Sequence, residues 1–217
     1  TSLYLAIFDA NSTQDPVDNF SPIEPRFGMR WNVNDKSALS FGMGYHSQTQ
    51  PLYTRYYIPE GNTSPINQHL DLTYSKHFVL GYSHQLNKNF GIKAEAYYQD
   101  LTGIPIEMDS SAFSLTNAGS GFARVFPNAL NNNGTGYNYG IELTVQRYFN
   151  KNWHALFSGC LYNSQYTPSD GIERNTSFNG IYAANFLAGR EFEVGKNKVL
   201  GPGVKVTGAG AQRKGLV

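Results

Sequence analysis

Apolar residues recur at every second position in segment after segment of this chain, and that period confines it to pleated strands. Over residues 39–45 the run Leu-Ser-Phe-Gly-Met-Gly-Tyr alternates large apolar side chains with Ser and Gly. Residues 24–33 place Pro25, Phe27, Met29, Trp31 and Val33 on one face and Glu24, Arg26, Gly28, Arg30 and Asn32 on the other. Phe78, Leu80 and Tyr82 repeat the pattern, followed by Phe90, Ile92, Ala94, Ala96 and Tyr98. Residues 137–145, 153–161, 178–194 and 199–207 continue it. With a segment over residues 2–8, the alternation predicts about nine strands and an all-β fold.

The connections narrow the topology. Asn34-Asp35-Lys36, Asn87-Lys88-Asn89, Asn150-Lys151-Asn152 and Gly195-Lys196-Asn197 read as tight polar turns. Between them lie much longer connections over 50–70, 106–135 and 167–177. Short and long alternate, so an antiparallel up-and-down sheet gathers every tight turn at one end and every long loop at the other. Transmembrane β-barrels have this asymmetry, whereas Greek-key crossings interrupt it in soluble sandwiches.

Composition decides which classes survive. No apolar run approaches the roughly 18 residues of a membrane-spanning helix, and the mean hydropathy is −0.42. The 22 Gly, 15 Tyr and 14 Phe favour strands and turns over helices. A formal net charge of +1, without clustered Lys and Arg, argues against a nucleic-acid partner. The single cysteine, Cys160, excludes an internal disulfide and reads as a small apolar filler.

Aromatics at Trp31, Phe90, Tyr148 and Trp153 stand beside the tight turns, where rings collect at a membrane interface. The opposite face carries Glu24, Arg26, Arg30, Lys93, Glu95 and Glu142, which a wet lumen or a plug tolerates and a dry core does not. In the first long loop, Tyr53, Arg55, Tyr56 and Tyr57 suit stacking on a sugar or gripping an anionic chelate. The five His follow no metal-ligand spacing and no nucleophile elbow or P-loop occurs, so no catalytic residue, metal or cofactor is expected. A hydrolytic site on a barrel would need a Ser and a His on adjacent strands, such as Ser83 and His46. The Asn-X-Ser/Thr sequons at Asn11, Asn62, Asn133 and Asn175 read as loop chemistry.

Three runs carry a family resemblance: PIEPRFGMRWNV (22–33), AYYQDLTGIPIE (96–107) and above all NNGTGYNYGIELTVQRYFNKNW (132–153). They resemble the barrel of TonB-dependent receptors, in the Bacteroidetes branch that carries a carboxypeptidase-regulatory-like domain. The resemblance implies an outer-membrane barrel of about 22 strands, of which residues 1–217 supply an internal part from the C-terminal half. The plug and the last strands fall outside it. It also implies import of a scarce nutrient (a ferric siderophore, a vitamin or an oligosaccharide). The implied partners are the lipid bilayer, the TonB energy-coupling protein acting through the plug region, the extracellular ligand and a surface lipoprotein. Two other readings compete: a soluble β-sandwich binding carbohydrate, with Phe41, Met43 and Tyr45 buried, and a passive porin.

Overall fold

The computed structural model describes residues 2–9, 22–120 and 126–213. Twelve strands form among them: β1 (Ser2–Asp9), β2 (Pro25–Asn34), β3 (Ser37–Gln48), β4 (Thr73–Asn87), β5 (Phe90–Glu107), β6 (Leu130–Asn150), β7 (Trp153–Thr167), β8 (Arg174–Asn175), β9 (Tyr182–Arg190), β10 (Phe192–Glu193), β11 (Val199–Leu200) and β12 (Gly203–Ala209). One antiparallel sheet runs in the order β1-β2-β3-β4-β5-β6-β7-β9-β12, with β8 paired to β7. Among the described residues helix is confined to α1 (Leu52–Arg55) and a 3₁₀ turn over Leu115–Asn117. Among the described residues no helix is long and apolar enough to cross a membrane.

Register turns the sequence alternation into two faces. Met29, Phe41, Leu80, Ala96, Ile141, Leu161 and Tyr182 stand side by side across seven strands. One residue along, on the other face, Arg30, Ser40, Gly81, Glu95, Glu142 and Cys160 form the matching row. Among the described residues no second layer covers the apolar row: Leu80, Ile141 and Leu161 are 57%, 58% and 57% exposed. The sandwich reading, which requires these side chains to be sealed between sheets, does not describe this sheet. Cys160 is half-buried on the polar face instead of acting as a core filler.

The apolar face also has the height of a bilayer. On β6, Tyr137 and Arg147 share that face ten positions apart. At ~3.3 Å per residue and a tilt of ~40°, this separation projects to ~25 Å along the membrane normal, the height of a barrel's apolar band. Tyr45 stacks on Tyr74, and Tyr98 and Tyr139 stack on Tyr137, at the long-loop edge of the band.

Among the described residues, Leu70, Leu72, Ile104, Ile106, Leu115, Leu130 and Tyr166 form a protein core at the long-loop end; the remaining buried hydrophobic side chain, Ala38, lies on the polar face near the first tight turn. Strands β5 and β6 reach into this region: residues 106–107 and 130–135, expected as loop, are strand. Asn131, Asn132, Asn133 and Gly134 have turn chemistry locally, but cross-strand pairing and burial of Leu130 override it. Gly103 bends β5 inward at a φ of +71°, and a Cβ there would lie 2.7 Å from the Leu72 carbonyl oxygen.

The tight turns join β2 to β3, β4 to β5 and β6 to β7 as expected, each beside a register shift. Lys151 and Asn152 take φ of 50° and 63°, the left-handed pair that matches the twist of a two-residue hairpin. The last hairpin departs from expectation. It begins at Tyr182 rather than at 178, and Glu191 and Gly201-Pro202 divide it into β9–β12 and a small β10–β11 tip. Pro202 lacks a ladder donor, and its carbonyl accepts from the Arg190 N–H instead.

Candidate functional site

The polar face carries several cross-strand clusters of paired groups. Glu24, only 1% exposed, sits just before β2. Its Oε1 accepts from the Ser47 N–H and Oγ–H at 2.7 Å each, and its Oε2 accepts from Arg26 Nη2 at 3.3 Å. Arg26 Nη2 also lies 3.2 Å from His46 Nδ1, tying β2 to β3. Further across, Asn138 Nδ2 donates to Gln99 Oε1 and Gln99 Nε2 donates to Ser75 Oγ, both at 2.8 Å. Glu95 and Glu142 face each other across β5 and β6, a repulsive juxtaposition. Lys93 offsets it with a 2.6 Å contact to Glu95. At the tight-turn end this face opens into a cavity of about 490 Å³ lined by Arg30, Lys93, Thr144, Gln146 and Tyr148.

Tyr148 therefore differs in place from the other aromatics expected at the membrane interface. Its position is in phase with Gln146 and Thr144, and its ring lies beside Gly91 on the polar face. Trp31 and Trp153 lie on the apolar face, 43% and 39% exposed, and Phe90 shares that face opposite Arg147. Arg147 covers the Trp153 ring at 3.9 Å from its centroid.

The long loops build the second region. Asn67, fully buried, accepts from the Leu130 N–H at 2.8 Å and donates to the Asn128 carbonyl at 3.1 Å. It thus imitates a strand partner and locks the first loop onto the second. Asn132 receives the Asp71 N–H at 2.8 Å and donates to the Gly103 carbonyl at 2.8 Å. Asn117 Oδ1 accepts from the Ser177 N–H, and Ser169 Oγ accepts from the Ser111 N–H, joining the second loop to the third. In the third loop the Arg174 guanidinium grips Asp170 at 2.6 and 2.8 Å. That hydrogen bonding holds the Asp170 carboxyl below the usual carboxylate range.

Within this cap the expected recognition cluster separates. Arg55 is 4% exposed and its Nε donates to the Gln68 carbonyl at 3.2 Å, so it is turned into the loop. Tyr53 and Tyr57 pack on Phe126 with ring centroids 6.3 and 5.1 Å apart. Tyr56 faces outward, with Leu52, Ile58 and Phe126 also exposed around it. Ser83 and His46 are not brought together: His46 pairs with Ser75, eight residues and ~26 Å along β4 from Ser83. Asn11 lies outside the described residues. Sequence reasoning missed Asn67, Asn132 and Phe126, whose partners lie on other loops and leave no local signature. Among the described residues no group of three or more His, Cys, Asp or Glu is placed to hold a metal ion.

Comparison with known proteins settles the family. The model described as TonB dependent receptor-like, beta-barrel matches residues 7–196. The chain belongs to that receptor-barrel family. No curated protein matches its sequence. Among solved structures, the FrpB iron transporter from Neisseria meningitidis (F3-3 variant) is similar at a TM-score of 0.56 and 14% identity, over 88% of this chain and 28% of that one. The copper transporter OprC is similar at a TM-score of 0.52 and 13% identity, over 80% of this chain and 25% of that one. At these identities the likeness is one of fold. The receptor-barrel chain thus spans about a quarter of the length of the transporters it resembles.

Proposed function

We propose that this chain is part of the wall of a larger outer-membrane barrel, from its C-terminal half, which imports a scarce nutrient by TonB-coupled transport. The observation that carries this reading is the pair of registered rows: an exposed apolar row across seven strands, backed by a charged and hydrogen-bonded one. Lipid covers the first, and a plug-filled lumen hydrates the second. Arg30 and Lys93 at the 490 Å³ mouth, with Arg26 and Glu142 further along, are the groups we assign to plug contact. The cap serves as the outer vestibule, with Tyr56 and its exposed apolar neighbours as the first contact for ligand or for a surface lipoprotein. The ligand classes are a metal chelate, a vitamin or an oligosaccharide. The sequence runs quoted above support placement in the Bacteroidetes branch.

The test is uptake by cells expressing the complete receptor, supplied separately with a radiolabelled ferric hydroxamate, cobalamin or a labelled oligosaccharide. Accumulation of one of these that stops when a protonophore collapses the proton gradient is the expected result. Passage of small neutral solutes that is indifferent to the protonophore identifies a passive porin instead.

A further inference from the structure

At the tight-turn edge of the apolar face two guanidinium groups stand among the interfacial aromatics. Cross-strand register sets Phe90, Arg147, Ala155, Ala188 and Val204 in one row of the outward face. In the next row towards the turns Trp153 pairs with Arg190. Arg147 lies over the Trp153 ring at 3.9 Å, and Arg190 lies over the Phe192 ring at 4.9 Å. Stacking on rings fixes both guanidinium planes without neutralising them. Among the described residues neither has a carboxylate within 4.0 Å: the four ion pairs involve Arg26, Lys76, Lys93 and Arg174. Among the described residues the Arg147 guanidinium donates to the Asn150 carbonyl at 3.4 Å and its Nε has no partner.

Beside these charges the surface is hollow. A groove of about 460 Å³ is lined by Trp153, Ala188, Arg190, Pro202 and Val204. Ala188 and the two glycines Gly189 and Gly203 keep its lining small; Ala155, paired with Ala188, continues the row of small residues beside it, while Phe157 and Phe186 rise in the row nearer the middle of the band. Glu191, the nearest acid in sequence, lines an adjoining depression with His154, Leu187 and Lys205, which shares Ala188, Arg190, Pro202 and Val204 with the groove, yet Glu191 makes no ion pair with Arg190 among the described residues.

We propose that this site binds one anionic phospholipid, its phosphate bridging Arg147 and Arg190 and an acyl chain lying along Ala155 and Ala188. The proposal rests on the outward-apolar reading above. Charge complementarity selects the occupant: two cations at headgroup depth call for a phosphate, and the small-residue floor leading into the band calls for a hydrocarbon chain rather than a free anion. A zwitterionic lipid satisfies the groove but carries its own ammonium to the same place.

Native mass spectrometry of the complete, delipidated receptor tests this by titration with phosphatidylglycerol, phosphatidylcholine or inorganic phosphate. We expect one phosphatidylglycerol to be retained about ten-fold more tightly than phosphatidylcholine, with R147Q/R190Q removing that preference. The charge-preserving R147K/R190K should keep most of it, and K205Q on the opposite face should leave it intact. Equal binding of the two lipids, unchanged preference in R147Q/R190Q, or displacement of phosphatidylglycerol by millimolar inorganic phosphate overturns the proposal. A nitroxide at Met43 in the same receptor separates the two failures. If it is accessible to oxygen while lipid preference is absent, only the lipid site is wrong; if it is inaccessible, the outward-apolar reading is wrong as well.

Discussion

The band and the cap of this sheet are made from the same strands and are stabilised in opposite ways. Along β6, Leu130 is fully buried by protein, whereas Ile141 and Leu143, on the same strand, are 58% and 43% exposed. In the cap, apolar side chains converge from the first two long loops and from β5, β6 and β7, and buried polar groups such as Asn67 are satisfied by the backbone of a neighbouring loop. In the band, each apolar side chain meets only its lateral neighbours and the outside, while the polar groups join across strands on the inner face. The cap therefore supplies its own interior, and the band borrows one from the membrane. Chemistry follows the same division, because the cap can present a fixed surface to a ligand only if its loops are locked.

The sharpest way to break this contrast is to remove buried volume from the cap. Leu130→Ala should cost about 2–5 kcal/mol, read as a lower unfolding midpoint of the complete receptor or as new protease cleavage within the loops; Leu161→Ala, in the band, should cost far less. Next in size is a charge placed on either side of one strand. Leu143→Arg should cost about 2–4 kcal/mol of folding into bilayers, whereas Thr144→Arg, on the adjacent residue and the opposite face, should cost close to nothing. Equal penalties would erase the distinction between faces. Asn67→Ala should cost about 1–3 kcal/mol by leaving the Leu130 N–H and the Asn128 carbonyl unpartnered in the cap core. Hydrogen exchange should rise at Leu130 before it rises anywhere in the band.

The smallest effect concerns pH. Pairing with Arg174 depresses the Asp170 carboxyl, so its contribution to the third loop is present above the ordinary carboxylate range and is lost as pH falls through the lowered value. Exchange at the Ile172 amide, which donates to Asp170 Oδ1 at 3.0 Å, should accelerate over that acidic interval. In Asp170→Asn it should be fast throughout.

The band was legible in the sequence and the cap was not. Alternation at 25–33, 39–45, 90–98 and 137–145 reports a face directly, because a pleated strand sends successive side chains to opposite sides. The tight turns were equally readable from their Asn, Lys, Asp and Gly. Tyr148 shows the same signal overlooked: its phase with Thr144 and Gln146 assigns it to the inner face, although its nearness to the turn suggested the interface. The cap bonds, by contrast, join residues about sixty positions apart, as in Asn67 with Leu130 and Asn117 with Ser177. No local pattern marks such pairs. Asn131 to Gly134 even advertise a turn where the tertiary contacts make strand. Arg55 carried the same ambiguity, since a loop arginine amid tyrosines serves a ligand or the loop itself.

The most direct measurement of the central claim is a nitroxide scan along β6, one cysteine at a time from Ile141 to Val145, in the complete receptor reconstituted in lipid on a cysteine-free background. Oxygen should relax the labels at 141, 143 and 145, and a water-soluble nickel chelate should relax those at 142 and 144. A scan in which the odd positions are shielded from oxygen, or in which the alternation is missing, would contradict the account.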